Sequence, residues 1–470
     1  MRRTLLAAAL SLLVALPLQA QQPTRIGDAA MTQAVTLRER ALADDTGWKV
    51  VESLTTEVGP RLAGSEADAR AVEWAKAKFK ALGYDKVWTE PVTFPKWERR
   101  SESARIVGAH AQALHVTALG GSPGGKVEAE VVRFESLEAL EKAAPGSLAG
   151  KIAFIDYPMT RAKDGRGYGP GSRVRSGGPS AAIRAGALAY VMRSAGTDSH
   201  RNPHTGITRF DDGLKPIPSA ALSLPDADQL ARLVALGQVK IALDLDCGWN
   251  GEYTSQNVIG EITGRSKPDE VVVIGGHLDS WDLGTGAIDD GAGVAISMAA
   301  GYLIGALPKA QRPARTIRVV AFANEEQGLY GGRAYARKYA ADIRKHQLGA
   351  ESDFGAGRIY AFVAKTPDYA KDAVAKIAQA LAPLGIEHRA DGEGCGPDLS
   401  PFNAIGMACA GLAQDGTDYF DLHHTPDDTL DKIDPKALAQ NVAAYTVFAY
   451  LAADAVGDFG SAPKASEPRK

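Results

Sequence analysis

Strand-like and helix-like segments alternate over the second half of the chain, from about residue 257 onwards. Short apolar runs such as EVVVIGG (270–276) and TIRVVAFA (316–323) alternate with helix-like stretches such as AGVAISMAAGYLIG (292–305) and YAKDAVAKIAQALAPLG (369–385). Strands separated by helices favour parallel pairing, with the helices covering the sheet. The sequence therefore predicts an α/β fold in which a mostly parallel central sheet is flanked by helices.

The preceding part of the chain has a different pattern. Residues 31–83 show the apolar spacing of helices, whereas residues 126–246 contain short β-rich runs separated by the glycine-rich stretch GRGYGPGSRVRSGGPS (165–180). This predicts an inserted β-rich module. We expect the glycine-rich stretch to be a solvated loop; its Arg166, Arg173 and Arg175 are alternatively candidates to contact a substrate carboxylate.

The first twenty residues have the pattern of a secretory signal peptide. Arg2 and Arg3 precede an apolar run from Leu5 to Leu18, which is too short for a comfortable membrane span, and Ala20 offers a cleavage site. We expect a secreted or periplasmic mature chain without a membrane span. That chain has 51 Lys and Arg against 56 Asp and Glu, a net charge of −5, which disfavours a nucleic-acid partner.

Titratable side chains follow the predicted strands of the second half. In open α/β sheets the ligand crevice lies beyond the carboxyl ends of the strands. Imidazoles and carboxylates that meet at such an edge suit zinc. Taken singly, each motif is also typical of a turn or a surface hydrogen-bonded pair; their joint placement favours a metal site. The candidates are His277, Asp279, Asp289, Asp290, Glu325, Glu326, Asp353, His423 and His424.

Glu325 and Glu326 are adjacent and directly follow a predicted strand. Neighbouring side chains on an extended backbone point to opposite faces, so the pair predicts two different roles. The alternative is a solvated acidic corner where the strand ends.

Four motifs in this order, HLDSWDLGTGAIDDGAG, NEEQG, ESDFG and HHTPDDT, resemble those of the co-catalytic zinc aminopeptidase family, and in particular its plasma glutamate carboxypeptidase (carboxypeptidase Q) branch. The stretches VGPRLAGS, PKWERR and NPHTGI extend the resemblance over nearly all of the mature chain. It implies a zinc exopeptidase fold in which the β-rich module is a protease-associated domain. Between the signal peptide (1–20) and an Ala/Pro/Ser/Lys-rich tail that we expect to be disordered (461–470), the expected organisation is an N-terminal peptidase part (21–120), the insert (121–249) and the catalytic domain (250–460).

The resemblance also implies two zinc ions per chain. His277, Asp289 and Asp353 would hold one ion, and Asp289, Glu326 and His424 would hold the other, so that Asp289 bridges them. A cis peptide bond after Asp289 is implied as well.

The remaining site roles are carried over in the same way. Asp279 is implied as the acceptor that orients the His277 imidazole, and Glu325 resembles the general base of the family. His423 occupies a position where more distant relatives carry a tyrosine that supports the developing oxyanion. Packing is the alternative role for His423, and Tyr419 competes with it for the oxyanion role.

The function implied is a zinc-dependent exopeptidase that hydrolyses dipeptides or short peptides with a free amino end. A metal-free binding protein and a one-zinc acyltransferase resembling glutaminyl cyclases are the alternatives; the filled ligand positions disfavour both. The resemblance implies a homodimer. An oxidising compartment and intervening turns suggest a disulfide between Cys395 and Cys409, with Cys247 left free.

Overall fold

The structure, a computed structural model, describes residues 22–392 and 394–464. The predicted signal peptide lies outside the described residues. The strands are β1 Lys86–Val107, β2 Gln112–Leu114, β3 Val116–Ala118, β4 Gly125–Phe134, β5 Lys151–Ile155, β6 Ala189–Arg193, β7 Ser219–Leu222, β8 Lys240–Ile262, β9 Lys267–His277, β10 Arg315–Phe322, β11 His346–Glu351, β12 Ile359–Lys365, β13 Glu387–His388 and β14 Cys409–Gln414.

Helices separate most of these strands, as the alternating pattern predicts. The α-helices are α1 Asp28–Ala43, α2 Thr46–Ser53, α3 Glu66–Ala81, α4 Leu137–Glu141, α5 Tyr168–Arg184, α6 Leu224–Leu236, α7 Ala292–Gly305, α8 Tyr330–Tyr339, α9 Lys371–Leu381, α10 Ser400–Ala404, α11 Tyr419–Leu422 and α12 Pro435–Asp454.

The strands form one large sheet in the order β13-β12-β14-β11-β9-β10-β8-β4-β5-β6-β7-β3, and β1 pairs with β8 and β2. Three successive pairs in this order are parallel: β10 with β9, β9 with β11, and β11 with β14. The mostly parallel sheet with flanking helices confirms the predicted fold class.

Strand β8 joins the two halves of the sheet. Its C-terminal end pairs with β10, and its N-terminal end pairs with β4. The parallel pairs β4–β5, β5–β6 and β6–β7 then extend the sheet through the middle of the chain. Residues 125–236 are therefore attached to the peptidase half by a continuous 23-residue strand.

The core lies around β9 and helix α7. Residues 271–277 of β9 are all buried, as expected for a strand covered on both faces. The helical stretch Ala287–Gly305 is long and apolar enough to span a membrane by composition, but 94% of its apolar window is buried inside the fold. Such burial is typical of the central helix of a globular domain.

The expected solvated loop at 165–180 is wrong for most of its length, because residues from Tyr168 onwards form helix α5. Gly178 in this helix is needed for close packing. A Cβ atom at Gly178 would lie 2.2 Å from the Tyr190 hydroxyl. Tertiary contact thus overrides the low helix propensity of glycine, which costs roughly 1 kcal/mol per residue.

The chain end and the cysteines complete the fold. Cys395 and Cys409 form a disulfide, and Cys247 is free and buried. Residues 461–464 are ordered: the main-chain N–H groups of Ala462 and Lys464 donate to Gly406 and Ile405. The ordered chain thus extends four residues into the predicted tail, whose remainder lies outside the described residues.

Candidate metal centre and cavity

The candidate site lies beyond the carboxyl ends of three parallel strands. His277 ends β9, the two glutamates follow β10, and Asp353 follows β11. Asp289 lies in the turn that leads into α7, and His424 lies in the loop after α11. This is the edge at which open α/β sheets bind ligands.

Asp289 is the centre of the cluster. Its Oδ1 atom lies 3.0 Å from His277 Nε2, and its Oδ2 atom lies 3.1 Å from His424 Nε2. The turn is fixed by Asp428, whose carboxylate accepts hydrogen bonds from the main-chain N–H groups of Ile288 and Asp289. The Asp289–Asp290 peptide bond is cis, as the resemblance implies. The two oxygens of one buried carboxylate thus face two different imidazoles.

Two further carboxylates complete the two sets. Asp353 Oδ1 lies 3.6 Å from His277 Nε2, and Glu326 Oε2 lies 2.9 Å from His424 Nε2. All five predicted ligands therefore converge.

Asp290 has a different position from its neighbour Asp289. Its carboxylate accepts hydrogen bonds from the main-chain N–H groups of His277 and Gly293. This ties the end of β9 to the start of α7. Asp290 therefore supports the backbone of the cluster.

The polar atoms of this cluster fit a cation. Asp289 Oδ2 and Glu326 Oε1 are buried and have no hydrogen-bond partner among the described residues. Buried carboxylate oxygens are costly without a partner, and a divalent cation would provide one. Two imidazoles and three carboxylates form a donor set suited to zinc.

Asp279 orients the site through two different groups. The His277 Nδ1 atom makes its hydrogen bond, 3.0 Å long, with the main-chain oxygen of Asp279, whereas the Asp279 carboxylate lies 3.6 Å away. That carboxylate instead accepts the main-chain N–H groups of Glu325 and Glu326. The imidazole acceptor is therefore the carbonyl of Asp279, and its side chain fixes the start of the glutamate turn.

The two adjacent glutamates diverge. The backbone turns after β10, because Asn324 has a left-handed φ of 51° and the carbonyl of Glu325 accepts N–H groups from Gly328 and Leu329. Both side chains line a cavity, but Glu326 contacts His424, whereas the partly buried Glu325 makes no side-chain hydrogen bond with a described residue. Burial raises the pKa of the Glu325 carboxyl well above its usual range, and the negative charges of nearby carboxylates add to this.

His423 also lies against Asp289. Its Nε2 atom is 3.2 Å from Asp289 Oδ2, and its Nδ1 atom is 2.8 Å from His204 Nε2. The Tyr419 ring packs 4.8 Å from the His423 ring, and both side chains line the cavity. His204 is absent from the predicted site. Its stretch, NPHTGI, carries only the family resemblance, and no spacing of metal-ligating or catalytic residue types in the sequence indicates a role for this histidine.

The cavity above the cluster has a volume of about 710 Å³, within the usual range for small-ligand sites. Phe354, Tyr360 and Leu412 contribute apolar lining.

The three arginines of the glycine-rich stretch lie in different places. Arg166 lines the cavity but is paired with Asp164, and Arg175 lines it while its buried guanidinium donates to Tyr168 Oη and to main-chain carbonyls. Arg173 is exposed and lies outside the cavity lining. Of the three candidates for contacting a substrate carboxylate, Arg166 and Arg175 therefore line the cavity and Arg173 does not.

Sequence comparison assigns a family to this arrangement. Residues 257–449 match the sequence model of Peptidase family M28, and this range contains all five predicted ligands. Carboxypeptidase Q of Bos taurus is 33% identical over 433 residues, which cover 91% of this chain and 89% of the relative. Carboxypeptidase Q of Homo sapiens is 33% identical over 417 residues, 88% of this chain and 86% of the relative.

Solved structures agree. The peptidase M28 precursor from Shewanella amazonensis SB2B has a TM-score of 0.88 and 49% sequence identity, and the match covers 93% of this chain and 100% of that one. A zinc aminopeptidase from Bacillus subtilis shares the fold, with a TM-score of 0.61 and 19% identity over 86% of this chain and 94% of that one. Because the chain matches relatives over nearly its whole length at 33% identity, it belongs to peptidase family M28.

Proposed function

We propose that this peptidase is a di-zinc exopeptidase that hydrolyses dipeptides or short peptides with a free amino end. The single observation that supports it most is the position of Asp289, which lines the cavity and whose two carboxylate oxygens lie 3.0 and 3.1 Å from His277 and His424. One carboxylate shared between two ligand sets is the arrangement a two-metal site needs.

The proposed ligand sets are those implied by the motifs. His277, Asp289 and Asp353 would hold one zinc ion, and Asp289, Glu326 and His424 would hold the second. Zinc bound there would polarise a peptide carbonyl and lower the pKa of water. The buried Oδ2 atom of Asp289 and Oε1 atom of Glu326 support this assignment, since neither makes a hydrogen bond with a described residue.

Glu325 is the proposed general base. Its carboxyl lines the cavity beside the cluster, and no hydrogen bond to its side chain is found among the described residues. It would accept a proton from the attacking water and return it to the leaving amine. Burial raises the pKa of this carboxyl above its usual range, which favours proton uptake from the attacking water.

His423 is the proposed hydrogen-bond donor to the oxyanion that develops on the substrate carbonyl. We favour His423 over Tyr419 for this role because the His423 Nε2 atom lies 3.2 Å from the Asp289 carboxylate, at the centre of the cluster. Asp279 is the proposed positioning residue for His277 and for the turn that carries the glutamates.

The middle segment, 121–249, is the proposed protease-associated insert, and it would restrict access to chain ends. Its loops contact the site: the Thr205 N–H donates to the His424 carbonyl, and Arg161 pairs with Asp418 and Asp421. A cover of this kind leaves room for a short peptide and excludes the middle of a long one. Secretion into an extracellular or periplasmic space and homodimer formation are further parts of the proposal.

Peptide panels test the proposed function. Wild-type protein is assayed on matched dipeptides and tripeptides with free, N-acetylated or C-amidated ends, and the released residue is identified. Acetylation of the amino end is expected to lower turnover strongly, and a tripeptide is expected to lose its N-terminal residue. Efficient cleavage inside a long peptide blocked at both ends would contradict the proposal.

Metal content is tested separately. Chelation is expected to abolish turnover, and zinc titration is expected to restore it in proportion to zinc bound up to two equivalents. Full activity at one equivalent would instead favour a one-zinc enzyme.

A further inference from the structure

Three imidazole rings pack together beside the proposed metal centre. The ring centroids of His423 and His424 are 3.5 Å apart, and the centroid of His204 lies 5.0 Å from each of them. All three side chains are buried, with His204 only 2% exposed. His204 belongs to the loop between β6 and β7, so this ring reaches the site from the middle segment of the chain.

One proton lies between His204 and His423. The His204 Nε2 and His423 Nδ1 atoms are 2.8 Å apart, a hydrogen bond that needs one nitrogen as donor and the other as acceptor. The remaining nitrogen of His204, Nδ1, is buried and has no hydrogen-bond partner in the described chain. A buried N–H without an acceptor is rarer than an acceptor without a donor. The proton of His204 therefore belongs on Nε2, and His423 Nδ1 accepts it.

This hydrogen bond determines which nitrogen of His423 carries a proton. With Nδ1 as acceptor, the N–H of His423 is on Nε2, the atom that faces the cavity 3.2 Å from Asp289 Oδ2. Within the part of the chain that the structure describes, Asp289 Oδ2 makes no hydrogen bond despite this distance, so the N–H remains free to donate to a bound substrate. The opposite tautomer would present a lone pair to an oxyanion.

We propose that His204 is a positioning residue that holds His423 as the Nε2–H tautomer and directs this N–H at the substrate carbonyl. The proposal rests on the proposed peptidase function. It adds a residue of the middle segment to the machinery of the site, acting only through His423. The substrate group recognised is the carbonyl oxygen of the scissile peptide bond.

The His204 ring is itself held in place. The His204 main-chain N–H donates to Ser194 Oγ at 2.8 Å, and the next residue, Thr205, is tied to the His424 carbonyl by its N–H at 3.0 Å. The Tyr168 ring packs edge-on against His204 and His423, with centroid distances of 5.9 and 5.2 Å. These contacts restrain both rings, as an orienting role requires.

A matched pair of substitutions at one position tests the role in catalysis. His204→Leu fills the space without a donor, and His204→Gln keeps an N–H donor of similar reach. On a dipeptide substrate we expect His204→Leu to lower kcat by about 10-fold to 100-fold, at or below the lower end of the loss of one oxyanion donor. KM and zinc content are expected to stay near the wild-type values, and His204→Gln is expected to recover most of kcat. Equal defects in both variants, or a defect confined to KM or zinc content, would overturn the proposal.

A double-mutant cycle tests whether His204 acts through His423. In a His423→Phe background, adding His204→Leu is expected to change kcat by less than about 2-fold, since contacting residues that act as a unit are non-additive. A full additional loss in that background would show an independent structural effect and would refute the proposal.

Tautomer spectroscopy tests the same point without any activity. The chain has nine histidines, and 15N-histidine labelling of metal-free protein gives one pair of ring signals for each. The pair missing in His423→Phe is expected to be the Nε2–H tautomer in wild type and to change in His204→Leu. An Nδ1–H signal for His423 in wild type would overturn the proposal. This readout stands even if the peptidase assay fails, so the two failures are distinguishable.

Discussion

The adjacent glutamates provide the sharpest test of the site, because isosteric substitutions one residue apart are expected to fail in different ways. Glu325→Gln and Glu326→Gln each remove one negative charge and keep the shape of the side chain. Their main-chain N–H groups both donate to the Asp279 carboxylate, so the turn itself is retained in each variant. Each substitution is therefore the control for the other.

Glu325→Gln removes the proposed proton acceptor. Its carboxyl has no hydrogen-bond partner among the described side chains, and the proposed metal ligands around it are unchanged. We expect zinc content and unfolding temperature to be preserved while kcat falls by about 100-fold to 10,000-fold, the usual worth of general-base catalysis. This corresponds to about 2.7 to 5.4 kcal/mol of activation free energy.

Glu326→Gln replaces a proposed anionic zinc ligand by a neutral amide. The Glu326 Oε2 atom lies 2.9 Å from His424 Nε2 in the second ligand set, so we expect one zinc equivalent to be lost on dialysis and activity to recover partly in excess zinc. Zinc content by atomic emission and kcat with and without added zinc are measured on both variants. Zinc loss in Glu325→Gln with retention in Glu326→Gln would reverse the assignment, and unchanged behaviour of both would refute the site.

Three further predictions concern the fold. Burial raises the pKa of Asp68 to about 6, so near pH 5 the folded metal-free protein holds a proton on this carboxyl that the unfolded form has lost. Stability is therefore expected to fall by about 2 kcal/mol as pH rises from 4 to 7, and Asp68→Asn is expected to remove that share of the slope in urea unfolding. Thiol counting in denaturant is expected to find one free thiol, Cys247, and a count of three would refute the Cys395–Cys409 disulfide. Reduction of this disulfide is expected to lower the free energy of unfolding by about 2 to 4 kcal/mol. Gly178→Ala is expected to destabilise α5 by about 1 to 3 kcal/mol through contact with Tyr190, whereas the matched Gly169→Ala, with open space around it, is expected to be neutral or slightly stabilising; equal unfolding midpoints would contradict this packing role.

The candidate site was predictable to the extent that it lies at strand ends. The apolar runs that become β9 and β10 stop immediately before His277 and the glutamates, and parallel strands bring such positions to one edge. The convergence of Asp353 and His424 was supported by the resemblance of their motifs, since neither lies on a pattern that fixes its position. Asp279 was implied as the acceptor for the His277 imidazole, but which of its oxygens accepts was not predictable. The turn after β9 decides that the main-chain carbonyl, and not the side chain, reaches Nδ1.

The middle segment was harder to predict for a physical reason. Its glycine-rich stretch has the local preferences of a loop, and those preferences lose to tertiary contact at helix α5, where only the absence of a Cβ atom lets Gly178 approach Tyr190. A single sequence shows the low helix propensity of such residues but not the partner that makes them necessary. The same stretch therefore predicts a loop and folds as a helix.

His204 illustrates the same limit at the site itself. It lies 219 residues before His423, on a loop that follows β6 at the far side of the sheet, and no local pattern connects the two rings. Their contact depends on β8, which pairs with β10 at one end and with β4 at the other and so attaches the middle strands to the peptidase strands. Because this connection is a continuous strand, a loop of the middle segment can hold one tautomer of a ring beside the proposed metal centre. A flexible tether would bring the same residues near the site without fixing the 2.8 Å hydrogen bond that the proposed role requires.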